Sequence, residues 1–146
     1  MTASGTLPDW WAVVVRPHAF VPTADAYRRL DASRASGGAL PASRPRGTSA
    51  SLAAVDALQR RDYAALMAAV VNDFHDVILE AYPAVAHAHH ALAAAGAANV
   101  LLSGSGSCLF ALFESEAEAI AVTSRLDASS VEGAFAVPLH HDRAWR

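Results

Sequence analysis

The chain of 146 residues contains no lysine; all 11 of its basic residues other than histidine are arginine. A Walker-type phosphate loop needs a lysine after its second glycine, so that device is excluded. The single cysteine, Cys108, excludes an internal disulfide and any cysteine-based zinc pattern. A net charge of −3 leaves no basic footprint for nucleic acid. No apolar run approaches a membrane span, and Thr2 to Thr6 carries no signal core after Met1. The expectation is a soluble cytoplasmic protein that binds neither nucleic acid nor membrane. What is present is apolar side chain, much of it alanine. A 53% hydrophobic content is enough for a real core in one domain.

The most informative stretch is Val100-Leu-Leu-Ser-Gly-Ser-Gly-Ser-Cys-Leu-Phe-Ala-Leu-Phe113. Two apolar runs flank a Ser/Gly loop, Ser103 to Ser107. Gly104 and Gly106 allow positive φ and close approach of a ligand to the backbone. Two readings stand at this point. The loop is an ordinary hairpin turn, or its amides form an anion-binding nest. A serine-hydrolase elbow needs Gly-x-Ser-x-Gly between strand and helix, whereas the segment after Ser107 is strand-like. The same strand-like run excludes a dinucleotide fingerprint, which needs a helix there.

Four strands are predicted, over 10–16, 99–103, 108–113 and 134–139. Pro138 places the last at a sheet edge. Thr23 is a candidate N-cap, with Asp25 in the first turn of a short helix carrying Tyr27 and Leu30. Residues 1–9 read as disordered or linker, and the Ser/Gly/Pro/Arg mixture of 33–50 as a mobile loop. Helical patterning resumes at Ser51, with Leu52, Val55 and Leu58 on one face. After a break at Arg60–Asp62, Leu66, Met67, Val70 and Val71 point inward. Pro83 opens a helix that Gly96 stops. Ser115 and Glu118 form a capping box for a helix presenting Ala119, Ile120, Val122 and Leu126. The domain spans 10–142. Its order predicts an α+β fold, a four-stranded mainly antiparallel sheet with helices on one face.

Three segments together resemble the C-terminal half of the GHMP-family small-molecule kinases. The first is Trp11-Ala-Val-Val-Val-Arg-Pro17 followed by Val21-Pro-Thr-Ala-Asp-Ala-Tyr27. The second is Asn72-Asp-Phe-His-Asp-Val-Ile-Leu-Glu-Ala-Tyr-Pro83. The third is Leu102-Ser-Gly-Ser-Gly-Ser-Cys-Leu-Phe110, similar to the family's third glycine-rich motif. The resemblance implies a ferredoxin-like domain. It implies transfer of the γ-phosphate of ATP, with Mg²⁺, to the 2-hydroxyl of 4-diphosphocytidyl-2-C-methyl-D-erythritol, a step toward isoprenoid precursors. Tyr27 matches an aromatic set against cytosine, with Thr23 either touching ligand or capping its helix. Gly104, Ser105, Gly106 and Ser107 would close over the substrate beside the phosphate site. Asn72 and Asp73 either reach toward the site or cap a helix.

The family's phosphate loop, lysine and catalytic aspartate belong to its N-terminal domain, and nothing before Trp10 resembles them. The expectation is a second domain with no catalytic residue of its own, inactive alone and binding neither ATP nor Mg²⁺ by itself. A separate N-terminal GHMP domain is the implied partner. The surface bared by its loss implies self-association through an apolar strip near the loop and the Tyr27 helix. His75 stands where the family often has Glu. His87, His89 and His90 read as exposed helix histidines, and His140-His141 likewise. Cys108 reads as a core residue of the outgoing strand. Two other functions remain open: a stand-alone small-ligand-binding or regulatory module, and the second domain of another GHMP kinase.

Overall fold

The computed structural model describes residues 8–37 and 48–139. Strand β1 (Trp11–Arg16) leads to helix α1 (Thr23–Ala35). Four helices follow: α2 (Thr48–Gln59), α3 (Tyr63–Ala69), α4 (His75–Ala81) and α5 (Pro83–Ala94). The hairpin β2 (Leu101–Leu102) and β3 (Leu109–Phe113) comes next, then α6 (Glu116–Ser124) and β4 (Gly133–Pro138). The strands form one antiparallel sheet in the order β2-β3-β1-β4. The α+β class and the four-stranded antiparallel sheet are as expected, and β4, with Pro138, lies at an edge. The proline costs no ladder bond there because an edge strand has a free side. The helices do not all share one face, because α2 and α3 pack with Leu112, which alternates to the side opposite Leu109 and Ala111.

Period-2 alternation in the strands sets the layers. Val13 and Val15 of β1 and Leu109, Ala111 and Phe113 of β3 point into the main core. Ile78 of α4, Val85 and Leu92 of α5, and Ala119 and Val122 of α6 close over them. Each Val or Leu so buried contributes roughly 1.5–3 kcal/mol. A smaller cluster joins Ala57 of α2 and Leu66 of α3 to Trp10, with Leu112 packed against it. The Tyr63 hydroxyl ties α3 to the sheet by donating to the Leu112 carbonyl at 2.6 Å.

Several local expectations hold. Pro83 is the first residue of α5, Gly96 follows its end at φ 120°, and the Ser115 hydroxyl accepts from the Glu118 amide at 3.3 Å. Others are corrected. The N-cap of α1 is Pro22, whose carbonyl accepts from the amides of Asp25 and Ala26; Thr23 is the first helical residue and caps nothing. The segment read as mobile over 33–50 is helical at both ends. Arg34 stays in α1, where it pairs with Asp73 at 2.9 Å, and α2 already begins at Thr48. The rest of that segment, most of 1–9 and the tail with His140-His141 lie outside the described residues.

The predicted face of α2 holds only at Leu58. Leu52 and Val55 are exposed, while Ala57 is fully buried and Ala54 and Leu58 pack beside it. Small side chains allow α2 close approach to its neighbours, and this outweighs burial of the larger ones. Ile120 of α6 is likewise exposed, although Ala119 and Val122 are inward as expected. Cys108 precedes β3 and is half-exposed, so it is not a core residue.

Candidate functional site

The loop from Ser103 to Ser107 is a tight hairpin end. The Ser103 amide donates to the Cys108 carbonyl at 2.8 Å, and the Gly106 amide to the Ser103 carbonyl at 3.0 Å. Gly104 (φ 57°) and Gly106 (φ 93°) both take the positive φ that their sequence position suggested. The turn reading is therefore correct as geometry.

The N-terminus of α1 meets this loop. The Thr23 and Ser105 hydroxyls lie 3.3 Å apart, across 82 residues of sequence. One turn further along α1, Tyr27 is 54% exposed and stands edge-on to Phe74, with ring centroids 5.0 Å apart and planes at 82°. Such an edge-to-face pair fixes the ring orientation. An open depression of about 360 Å³ has Ser51, Asn72, Phe74 and Gly104 on its walls. A second, of about 630 Å³, is lined by Arg16, His18, Phe20, Ser107 and Glu132. The loop stands between the two, Gly104 on one side and Ser107 on the other.

The residues that hold α1 in place were not singled out in the sequence. The Asp25 carboxylate accepts from the Tyr82 hydroxyl at 2.5 Å, from Arg29 at 2.7 Å and from Arg28. The Tyr82 hydrogen bond first, then that from Arg29, lowers Asp25 to a pKa of about 2. Together with Arg34–Asp73 and Tyr27–Phe74, this fastens α1 to the 72–82 segment at three levels. Asp25 and Tyr82 were legible only as a first-turn acid and a member of a motif.

Asn72 is not the cap of α4, whose N-cap is Phe74 with no side-chain cap bond; it closes the turn before that helix and reaches the glycine loop. Its Oδ1 accepts from the Phe74 amide at 2.8 Å, and its Nδ2 donates to the carbonyls of Leu102 at 2.7 Å and Gly104 at 2.8 Å. Asp73 points elsewhere, to Arg34. His75 is buried, and its Nδ1 accepts from the Leu102 amide at 3.2 Å. Its ring lies 5.2 Å from that of His89. The exposed reading therefore fails for His89, which is half-buried, because it follows Val85 by four residues onto the inward face of α5. Burial pushes its pKa down, against a hydrogen bond to the Val100 backbone. His87 and His90 are exposed as expected. Exposed aromatic side chains, Phe20 at 82% and Tyr27, flank the loop. Phe135 of β4 is a further one, on the sheet.

Comparison with known proteins gives this geometry a context. The chain is 41% identical over 133 residues to a 4-diphosphocytidyl-2-C-methyl-D-erythritol kinase of Solidesulfovibrio magneticus, covering 91% of this chain and 42% of that protein. A crystal structure of 4-(cytidine 5'-diphospho)-2C-methyl-D-erythritol kinase superposes with a TM-score of 0.66 at 26% identity, over 93% of this chain and 45% of the other. The mevalonate kinase of L. major superposes with a TM-score of 0.68 at 20% identity, again over 93% and 45%, which shows a shared fold. The chain thus spans about two fifths of the curated relative. Residues 54–132 match the family model described as GHMP kinases C terminal. Since that match takes in more than half of the chain, the protein belongs to the GHMP kinase family, through its C-terminal domain.

Proposed function

We propose that this chain forms the substrate-side part of an ATP-dependent kinase acting on 4-diphosphocytidyl-2-C-methyl-D-erythritol, and that it transfers no phosphate alone. The observation that carries the reading is the junction of Thr23 with Ser105. It sets the start of the Tyr27 helix against the glycine loop in a chain 41% identical to a kinase of that name. In this reading the exposed face of Tyr27 stacks on cytosine, worth roughly 1–3 kcal/mol. The amides and hydroxyls of Gly104, Ser105, Gly106 and Ser107 meet the anionic and hydroxylated remainder.

The residues here do not fit Mg²⁺-ATP. The chain has no lysine. Near the loop, Asp73 is paired with Arg34, and Asp25 with Arg28, Arg29 and Tyr82. Among the described residues no three His, Cys, Asp or Glu side chains gather as a metal site. We assign ATP and Mg²⁺ to the remaining three fifths of such a kinase, carried by another domain. That domain is the partner we propose for this one, and the bared Phe20 and Tyr27 favour self-association without it. No helix among the described residues is long and apolar enough to cross a membrane. Action in the cytoplasm is part of the same proposal.

Titration of the ¹⁵N-labelled chain with cytidine tests the reading. Stacking alone does not offset the lost motional entropy of a free ligand, so affinity should be on the order of millimolar, about −4 kcal/mol. Tyr27→Ala should abolish the amide shifts near residue 27, and Tyr27→Phe should retain them. Shifts that survive Tyr27→Ala would make Tyr27 a packing residue.

A further inference from the structure

Strand β2 is the edge of the sheet on the side away from β4. In an antiparallel pair, backbone groups turn alternately toward the partner and away from it. Ser103 is bonded to Cys108 of the facing run, so its neighbour Leu102 turns both its amide and its carbonyl outward. A bare edge leaves such groups to water or to another strand. Here two side chains take the place of that strand. Asn72 Nδ2 donates to the Leu102 carbonyl, and His75 Nδ1 accepts from the Leu102 amide. The second Nδ2 hydrogen of Asn72 continues one step further, to the Gly104 carbonyl inside the loop. Its Oδ1 holds the amide of Phe74, the ring that orients Tyr27. One amide group is thus bonded toward both walls of the proposed site, through different atoms.

We propose that Asn72 is a positioning residue for substrate. Its Nδ2 sets the direction in which the 103–107 loop leaves β2, and its Oδ1 sets the base wall through Phe74. The proposal rests on the reading of that loop and Tyr27 as the two ends of one ligand site. It goes beyond the local turn on Phe74 because the two functions separate chemically. An aspartate at this position keeps an acceptor for the Phe74 amide and loses both donations to the loop.

The experiment compares Asn72→Asp and Asn72→Ala in the full chain. Amide hydrogen exchange is followed at Gly106, whose amide hydrogen bond to the Ser103 carbonyl closes the loop, with separate titrations of cytidine and of 4-diphosphocytidyl-2-C-methyl-D-erythritol. Loss of the Nδ2 hydrogen bonds should speed exchange at the Gly106 amide, which is bonded to the Ser103 carbonyl inside the loop, by about tenfold in either variant. Asn72→Asp should weaken the complete ligand several-fold and leave cytidine affinity unchanged, whereas Asn72→Ala should weaken both. Unchanged glycine exchange in both variants overturns the proposal. So does an equal loss of both ligands in Asn72→Asp, which marks general loosening. If the unmutated chain binds neither ligand, the substrate reading fails by itself. Faster glycine exchange then still supports the hold of Asn72 on the loop, and unchanged exchange still refutes it.

Discussion

The two glycines of the loop should respond very differently to alanine, although the sequence Ser-Gly-Ser-Gly-Ser treats them alike. Gly104 has φ 57°, and no heavy atom lies within 4 Å of where its Cβ would be. That φ falls in the left-handed region open to ordinary residues, so Gly104→Ala costs only the backbone term, about 1–2 kcal/mol. Gly106 has φ 93°, outside that region, and its Cβ would stand 3.2 Å from Leu102 Cδ1 and 3.6 Å from Ile78 Cγ2. Both neighbours are core residues, at 1% and 0% exposure, with little room to give. Overpacking of this kind adds about 1–3 kcal/mol. Alanine also restricts the unfolded chain by about 0.4–1 kcal/mol, equally at both positions. Gly104→Ala should therefore be nearly neutral to mildly destabilising, and Gly106→Ala worse by about 1–3 kcal/mol. Urea unfolding followed by tryptophan fluorescence measures the difference at unchanged slope. Equal midpoints for the two variants, or a lower one for Gly104→Ala, would refute the placement of Gly106 against the core.

Ser115→Ala removes the acceptor of the Glu118 amide at the start of α6; it should lower stability by about 1 kcal/mol, read as a drop in thermal midpoint. Asp25 gives a pH dependence of known sign. Held at about 2 by Tyr82 and Arg29, below its ordinary 3.8, its carboxylate contributes stability that is present above pH 4 and lost as pH falls toward 2. The difference in thermal midpoint between the unmutated chain and Asp25→Asn should accordingly shrink over that interval, and a constant difference down to pH 2 would contradict the assignment.

Element order and boundaries were legible where backbone chemistry leaves a mark on the residue type. Pro83, Gly96, Ser115 and Pro138 each stand where their special geometry is used. Helix faces were much less legible, and the reason is compositional. Periodicity arguments need contrast between the buried and the exposed side of a helix. In this chain alanine occupies both sides. Ala57, Ala88 and Ala119 are fully buried, whereas the larger Leu52, Val55 and Ile120 face outward. A small side chain is buried where helix and sheet approach closely, and that distance is a tertiary property.

The candidate site divides along the same line. Its segments could be recognised, because Tyr27 and the glycines differ from their surroundings. The tie between them could not. Asn72 reaches Leu102 and Gly104 through their carbonyls, and His75 reaches the Leu102 amide, groups that every residue but proline carries alike. Nothing in the letters at 102 or 104 marks them as acceptors for a side chain 30 or 32 residues earlier. Asn72 was therefore visible as a helix-capping type, yet the N-cap of α4 is Phe74 and Asn72 Oδ1 closes a local turn on the Phe74 amide instead, while its other atom had no local signal. Long-range bonds from a side chain to the backbone are where a fold positions a loop without changing the loop's own sequence. A chain with the same Ser-Gly-Ser-Gly-Ser stretch but no amide side chain at the position of Asn72 should hold that loop in a different direction, or in none.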